Sequence, residues 1–235
     1  MVYNLNRIYS GLFIIISLIF FYIFQLDLIL LSILTIFICY EISINKLYNI
    51  KTLPFLILTF IFCIYFVNFI FNNKIILLFI LLFIVLLSLY KFKYFIFFNL
   101  ILLFFVISSY ELLQSNRYLF YLIILISFIN DSSAYFFGKL IKGPLIISAI
   151  SPNKTWSGTS LSIIISFYFL YYYFDFTFFI STLVSLLFFL GDIYFSFIKR
   201  KNNIKDFSNI IPGHGGLLDR IDSFIFPIIL VNLSI

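Results

Sequence analysis

Apolar runs of about 15–20 residues, separated by short polar breaks, fill this 235-residue chain. A bilayer core about 30 Å thick needs roughly 20 apolar residues of helix, each rising about 1.5 Å. The runs therefore predict membrane-spanning helices near residues 8–24, 28–44, 53–71, 75–90, 94–110, 118–138, 158–174 and 177–198, with a last one over 221–235. Pairs such as 8–24 and 28–44 leave merging or tilting open, so the pattern allows eight to ten spans. The expected fold is all-α: a polytopic integral membrane protein with about nine transmembrane helices.

Composition sharpens that picture. Hydrophobic residues make up 64% of the chain and charged ones 10%, against roughly 45–50% and about 25% in soluble domains. A soluble globular protein is excluded. Phe, Ile, Leu, Tyr and Asn are over-used while Ala, Val and Gly are scarce. Codon drift in an AT-rich genome accounts for this better than an aromatic-lined lipid face, so no aromatic stripe is read as a binding feature. Cys39 and Cys63 fall in apolar runs and form no ligand-spaced pair. No A-x-A-like site follows the first run, so no cleavable signal peptide is expected.

Net charge is +6, yet basic loops are what membrane topology demands, and no nucleic-acid partner is implied. With the N-terminus in the cytoplasm, thirteen of the fifteen basic residues fall in cytoplasmic loops, and only Lys74 and Arg117 fall outside. This predicts a multi-pass protein of the inner (cytoplasmic) membrane with a cytoplasmic N-terminus.

Scarce polar residues cluster in the second half. Residues 1–116 read as anchor and packing helices, and 117–235 as the region that carries chemistry. Asn130-Asp131-Ser132-Ser133 and Gly191-Asp192 lie late in their helices, at one depth toward the cytoplasmic end. A carboxylate in a membrane helix costs a few kcal/mol and normally faces a partner or a wet cavity. Asp192, Ser196 and Lys199 share one helical face by their i, i+4, i+7 spacing, as do Asp131, Tyr135 and Gly138. Asp219 and Asp222 share a face at i, i+3. Hard oxygens of this kind suit Mg2+, which takes one or two carboxylates plus substrate phosphates. Lys199, Arg200, Lys205 and Arg220 suit phosphate oxygens. Together they describe phosphoryl or nucleotidyl transfer to a lipid at the cytoplasmic membrane surface.

Two loops complete the inventory. Pro212-Gly213-His214-Gly215-Gly216 is a tight turn whose backbone amides could form an anion nest. His214 is open between a proton carrier, a phosphate donor and a turn-fixing residue. Ser151-Pro152-Asn153-Lys154-Thr155-Trp156-Ser157-Gly158 precedes a helix. There Lys154 and Thr155 could grip phosphate, and Trp156 could stack on a base or anchor at the interface.

In this order the islands resemble the phosphatidate cytidylyltransferase, or CDP-diacylglycerol synthase, family. Its signature S-x-x-K-R-x4-K-D, followed by P-G-H-G-G-x-x-D-R-x-D, is matched by Ser196, Lys199, Arg200, Lys205, Asp206, Pro212 to Gly216, Asp219, Arg220 and Asp222. NDSSAYFFGK, SPNKTWSG and Gly191-Asp192 are similar to its upstream motifs, and the likeness covers about residues 117–226. The chain departs from the pattern at Asn153, Ser157 and Phe195.

The resemblance implies that CTP and phosphatidic acid give CDP-diacylglycerol and pyrophosphate in phospholipid biosynthesis. It implies Asp192 and Asp219 as metal carboxylates for Mg2+, with room for a second cation. Asp131 and Asp222 are then further or supporting ligands. Lys199, Arg200, Lys205, Arg220 and His214 would serve catalysis. Ser196, Lys154, Thr155, Trp156, Gly215 and Gly216 would bind substrate. The likeness also suggests a homodimer in the lipid bilayer. A CTP-dependent lipid alcohol kinase uses similar parts, but the complete signature argues against it. A transporter would put its polar site at the bilayer midplane between repeats, and no repeat is visible here.

Overall fold

The computed structural model describes residues 2–45, 93–211 and 215–234. The expected helices 53–71 and 75–90, Cys63 and the Pro212–His214 turn lie outside the described residues. The chain is mostly helical and divides into two compact units. One comprises Met1–Asn116 with Asp206–Asp219, the other Arg117–Lys205 with Arg220–Ile235.

In the first unit, α1 (Val2–Ile23), α2 (Asp27–Ile44) and α3 (Lys93–Ser115) follow the apolar runs. Leu30, Leu31, Ile38 and Ile42 of α2 are buried, as are Phe98, Leu102, Phe105 and Val106 of α3. The returning segment 206–219 adds Phe207 and Leu218 to this core, and the Phe207 ring stacks on Phe98 at 6.4 Å.

In the second unit, α4 (Arg117–Ile141) leads into a hairpin of β1 (Leu145–Ile147) and β2 (Ser151–Thr155). Its strands are antiparallel, pairing Leu145 with Thr155 and Ile147 with Ser151 across a bulge. Next come α5 (Trp156–Tyr168), a π-helical turn Phe169–Tyr173, and α6 (Phe178–Lys201). A short α7 (Leu218–Ile221) joins the units along the chain, and α8 (Ile225–Ser234) follows.

Small residues set the packing. A Cβ on Gly158 of α5 would lie 2.4 Å from the Ala134 carbonyl oxygen and 3.0 Å from the Gly138 Cα of α4. The two backbones touch where glycine meets glycine, the usual device for joining helices in lipid, which offers no hydrophobic drive between them.

The structure differs from the all-α expectation in two places. The polar loop before α5 contains the β1–β2 hairpin. The expected last helix is broken: α8 begins only at Ile225. Pro227 has no N–H to give the Ser223 carbonyl, and its ring would collide with that carbonyl in a continuous helix. In the first turn of α8 the same proline is harmless.

Three described helices are long and apolar enough to cross a membrane: Asp27–Ile44, Arg117–Ile141 and Phe178–Lys201. Shorter apolar helices cover Tyr9–Ile23, Leu100–Ser115 and Ile225–Ser234. Large apolar side chains such as Phe13, Ile16, Tyr135 and Phe179 stand exposed. An apolar surface of this extent belongs in lipid, and the protein is a multi-pass membrane protein.

Candidate active site

The polar chemistry of the second unit is assembled from α4, β2, α6 and the residues before α8. Asp192 on α6 is held from two sides. Its Oδ2 forms an ion pair with Lys154 Nζ from β2. Its Oδ1 accepts from Ser196 Oγ at 3.3 Å, one helical turn along. The i, i+4 spacing seen in the sequence is thus a physical contact. Lys154 also sits over the Phe189 ring, 5.4 Å from its centroid, so an apolar wall backs the ammonium group.

Asp131 on α4 is exposed and stands within electrostatic reach of Asp192, Lys154 and Arg220. Ser223 Oγ lies 3.5 Å from its Oδ2. Beside it, Asn130 is buried with its Oδ1 lacking a hydrogen-bond partner among the described residues. Gly191 allows the close approach on which this arrangement depends. A Cβ there would lie 2.5 Å from the Asp222 carbonyl oxygen and 3.2 Å from that of Ser223. Two carboxylates and two cations therefore converge within one unit.

Several residues expected to meet substrate have structural work as well. Thr155 caps α5: its Oγ1 accepts from the Gly158 N–H at 3.2 Å. Ser157 Oγ donates to the Lys142 carbonyl at 2.8 Å, and Trp156 N–H donates to the Pro144 carbonyl at 3.1 Å, closing the hairpin onto the helix start. The Trp156 side chain is exposed. Arg200 donates through Nε to the Ile150 carbonyl (3.2 Å) and through a terminal nitrogen to the Ile204 carbonyl (3.3 Å), tying the hairpin to the end of α6. Lys199 and Asp222 are buried and Lys205 is exposed.

The first unit holds Gly215, Gly216 and Asp219. Ile211 and Gly215 exchange backbone hydrogen bonds of 2.9 and 3.1 Å, and Gly215 takes φ +83°, a left-handed value suited to glycine. Asp219 Oδ2 accepts from the Phe207 and Gly216 amides, both at 2.9 Å. The next two amides, of Leu217 and Leu218, donate to Glu41 of α2 at 2.6 and 2.8 Å. Of the described amides in the glycine loop, that of Gly215 is engaged with the Ile211 carbonyl and that of Gly216 with the Asp219 carboxylate. His214 lies outside the described residues. Asp192 belongs to the second unit and Asp219 to the first.

Glu41, Asn45 and Ser223 are not among the site residues expected from the sequence. Glu41 carries the one signal that could have found it: an acid inside an otherwise apolar run, which in a membrane helix is a functional candidate by default. Asn45 and Ser223 carry none.

Among the described residues no three His, Cys, Asp or Glu side chains form a ligand cluster. Mg2+ seldom uses a full protein cage, and one or two carboxylates with substrate phosphates suffice. Asp192 with Asp131 beside it meets that requirement.

A sequence profile of the cytidylyltransferase family matches residues 5–235. Among individual proteins, the phosphatidate cytidylyltransferase of Rickettsia bellii is 46% identical over 110 residues, 40% of this chain and 48% of that protein. Those of Staphylococcus aureus (strain COL) and Helicobacter pylori are 39% identical over 119 residues and 36% over 112. These two matches cover 46% and 44% of this chain, and 45% and 42% of the relatives. The chain spans about half the length of the curated relatives it matches.

Proposed function

The chain belongs to the cytidylyltransferase family, and from that premise we propose that it transfers the cytidylyl group of CTP to phosphatidic acid, releasing CDP-diacylglycerol and pyrophosphate. The observation that carries this reading is the meeting of Asp131, Asp192, Lys154 and Arg220 in one unit of a membrane protein. The relatives named phosphatidate cytidylyltransferase support phosphatidic acid as the acceptor.

A lipid phosphate oxygen attacks the α-phosphorus of CTP, and the bond to the pyrophosphate oxygen breaks. The phosphate monoester is already anionic at neutral pH, so the reaction asks for little general-base help. Its obstacle is the repulsion between two anions, which positioning and fixed charge must overcome. Asp192 would hold Mg2+, with Asp131 as a further ligand; Asp219 enters this reading from the signature pattern alone. The ion supplies neutralisation and orientation of the triphosphate when bound. Ser196 keeps the Asp192 carboxylate turned by its hydrogen bond. Lys154 balances Asp192 and offers an ammonium group to a phosphate oxygen, and Arg220 offers a guanidinium group. Lys199, Lys205 and Arg200 add positive charge along the end of α6 and beyond, with Arg200 also fixing the hairpin. Trp156, exposed at the start of α5, would stack on the base. The acyl chains remain in lipid while the headgroup meets CTP at the cytoplasmic face of the inner membrane.

The test is product analysis on purified protein in mixed micelles with phosphatidic acid, Mg2+ and CTP labelled at its α-phosphorus. Label passes into the lipid phase with wild type, and Asp192→Asn lowers the rate by about 100-fold or more. Chelation of Mg2+ stops turnover and added Mg2+ restores it. Unlabelled lipid with free labelled CDP would identify a lipid alcohol kinase instead. Folded protein that turns over no CTP with any phospholipid would overturn the reading.

A further inference from the structure

We propose that Glu41, far from the signature in sequence, is the positioning residue that fixes the signature loop. Its carboxylate lies in the last turn of α2, with the residue fully buried. Oε1 accepts from Ser208 Oγ and from the Leu217 amide, both at 2.6 Å, and Oε2 accepts from the Leu218 amide at 2.8 Å. One turn on, Asn45 Nδ2 donates to the Phe207 carbonyl at 2.5 Å and to the Glu41 carbonyl at 2.7 Å. The end of α2 therefore grips the loop on both sides of its glycine turn, at 207–208 and at 217–218.

A buried carboxylate on an apolar helix is expensive unless charge-assisted hydrogen bonds offset the lost hydration. The loop has the complementary problem, since its amides need acceptors away from water. Each solves the other's problem, and the solution leaves little freedom. Leu218 is fixed through its own amide, so the carboxylate of Asp219, the next residue, starts from a fixed backbone. Asp219 in turn receives the Phe207 and Gly216 amides. Glycine at 216 follows from the same contact: a Cβ there would lie 2.7 and 2.9 Å from the two Glu41 oxygens and 3.0 Å from its Cδ. The end of a side chain usually moves aside cheaply. This one is held by three hydrogen bonds and cannot move without releasing the loop.

The kinetic part of this inference rests on the proposed cytidylyl transfer; the structural part does not. Two measurements on detergent-purified full-length protein separate them. In hydrogen exchange, Glu41→Gln raises the exchange rate of the Leu217 and Leu218 amides by about 10-fold or more, while amides of α3 such as Leu102 and Val106 keep their rates. In the transfer assay, Glu41→Gln lowers kcat by roughly 10- to 100-fold, with KM for CTP changing by less than about 3-fold. Gly216→Ala lowers kcat strongly when Glu41 is present. On a Glu41→Ala background it adds less than about 3-fold, because the atoms it strikes are gone.

Unchanged exchange at Leu217 and Leu218 in Glu41→Gln would overturn the proposal, as would Glu41→Ala and Gly216→Ala effects that simply multiply. A wild type without transfer activity would sink the proposed reaction and leave the exchange result to decide on Glu41. General unfolding of Glu41→Gln, seen as loss of α3 protection along with the loop, would also count against a positioning role.

Discussion

Gly158 shows how sharply a single position can be constrained here. Its hydrogen stands where a methyl group would come within 2.4 Å of the Ala134 carbonyl oxygen. That oxygen is backbone and cannot rotate away, so a larger residue must push α4 and α5 apart. Gly158→Ala is expected to destabilise the protein by about 1–3 kcal/mol, read as a lower midpoint of thermal unfolding in detergent. Lys154 follows the opposite logic, because its role comes from what it reaches and not from the space it fills. Ser196 and Asp192 could be paired from their spacing alone. That Lys154 completes the group could not, because nothing local to either residue requires it.

At the scale of elements, the hairpin and the cap after it matter most. The sequence 151–158 reads as a loop with phosphate-binding candidates, and the structure turns its first five residues into a strand. The strand ends in Thr155, whose hydroxyl then caps α5. Thr155→Ala should cost about 1 kcal/mol of stability while Thr155→Ser keeps most of it, measurable by the same unfolding midpoints. The apolar helices were the easiest elements to read. Expected starts and ends at 28–44, 118–138 and 177–198 fall within a few residues of the observed helices. The last span is less legible, because the apolar run continues through Pro227, the third residue of α8. Breaks of this kind depend on a single missing N–H, which a hydrophobic run does not reveal.

For the whole molecule, the distribution of lysine and arginine gives the strongest expectation. It puts the N-terminus and the signature loop in the cytoplasm and the turn between α3 and α4 outside. Single cysteines test this in cells. Lys201→Cys should react with a membrane-impermeant thiol reagent only after permeabilisation, and Asn116→Cys should react in intact cells. The reverse pattern would invert the topology and place the proposed CTP site away from cytoplasmic nucleotide. Both positions are exposed in the structure, so burial does not confuse the result.

What the sequence determined by itself was the membrane class, the course of the principal helices and the residues of the signature. Partition into a bilayer depends on the summed apolarity of a local window, and a motif is local by definition, so both survive without coordinates. Tertiary structure decided which groups meet. Glu41 reaches Leu217 and Leu218 across 176 and 177 residues of chain, and Lys154 meets Asp192 from another element. A buried carboxylate takes whichever donors the packing brings to it, and no window of sequence contains that choice.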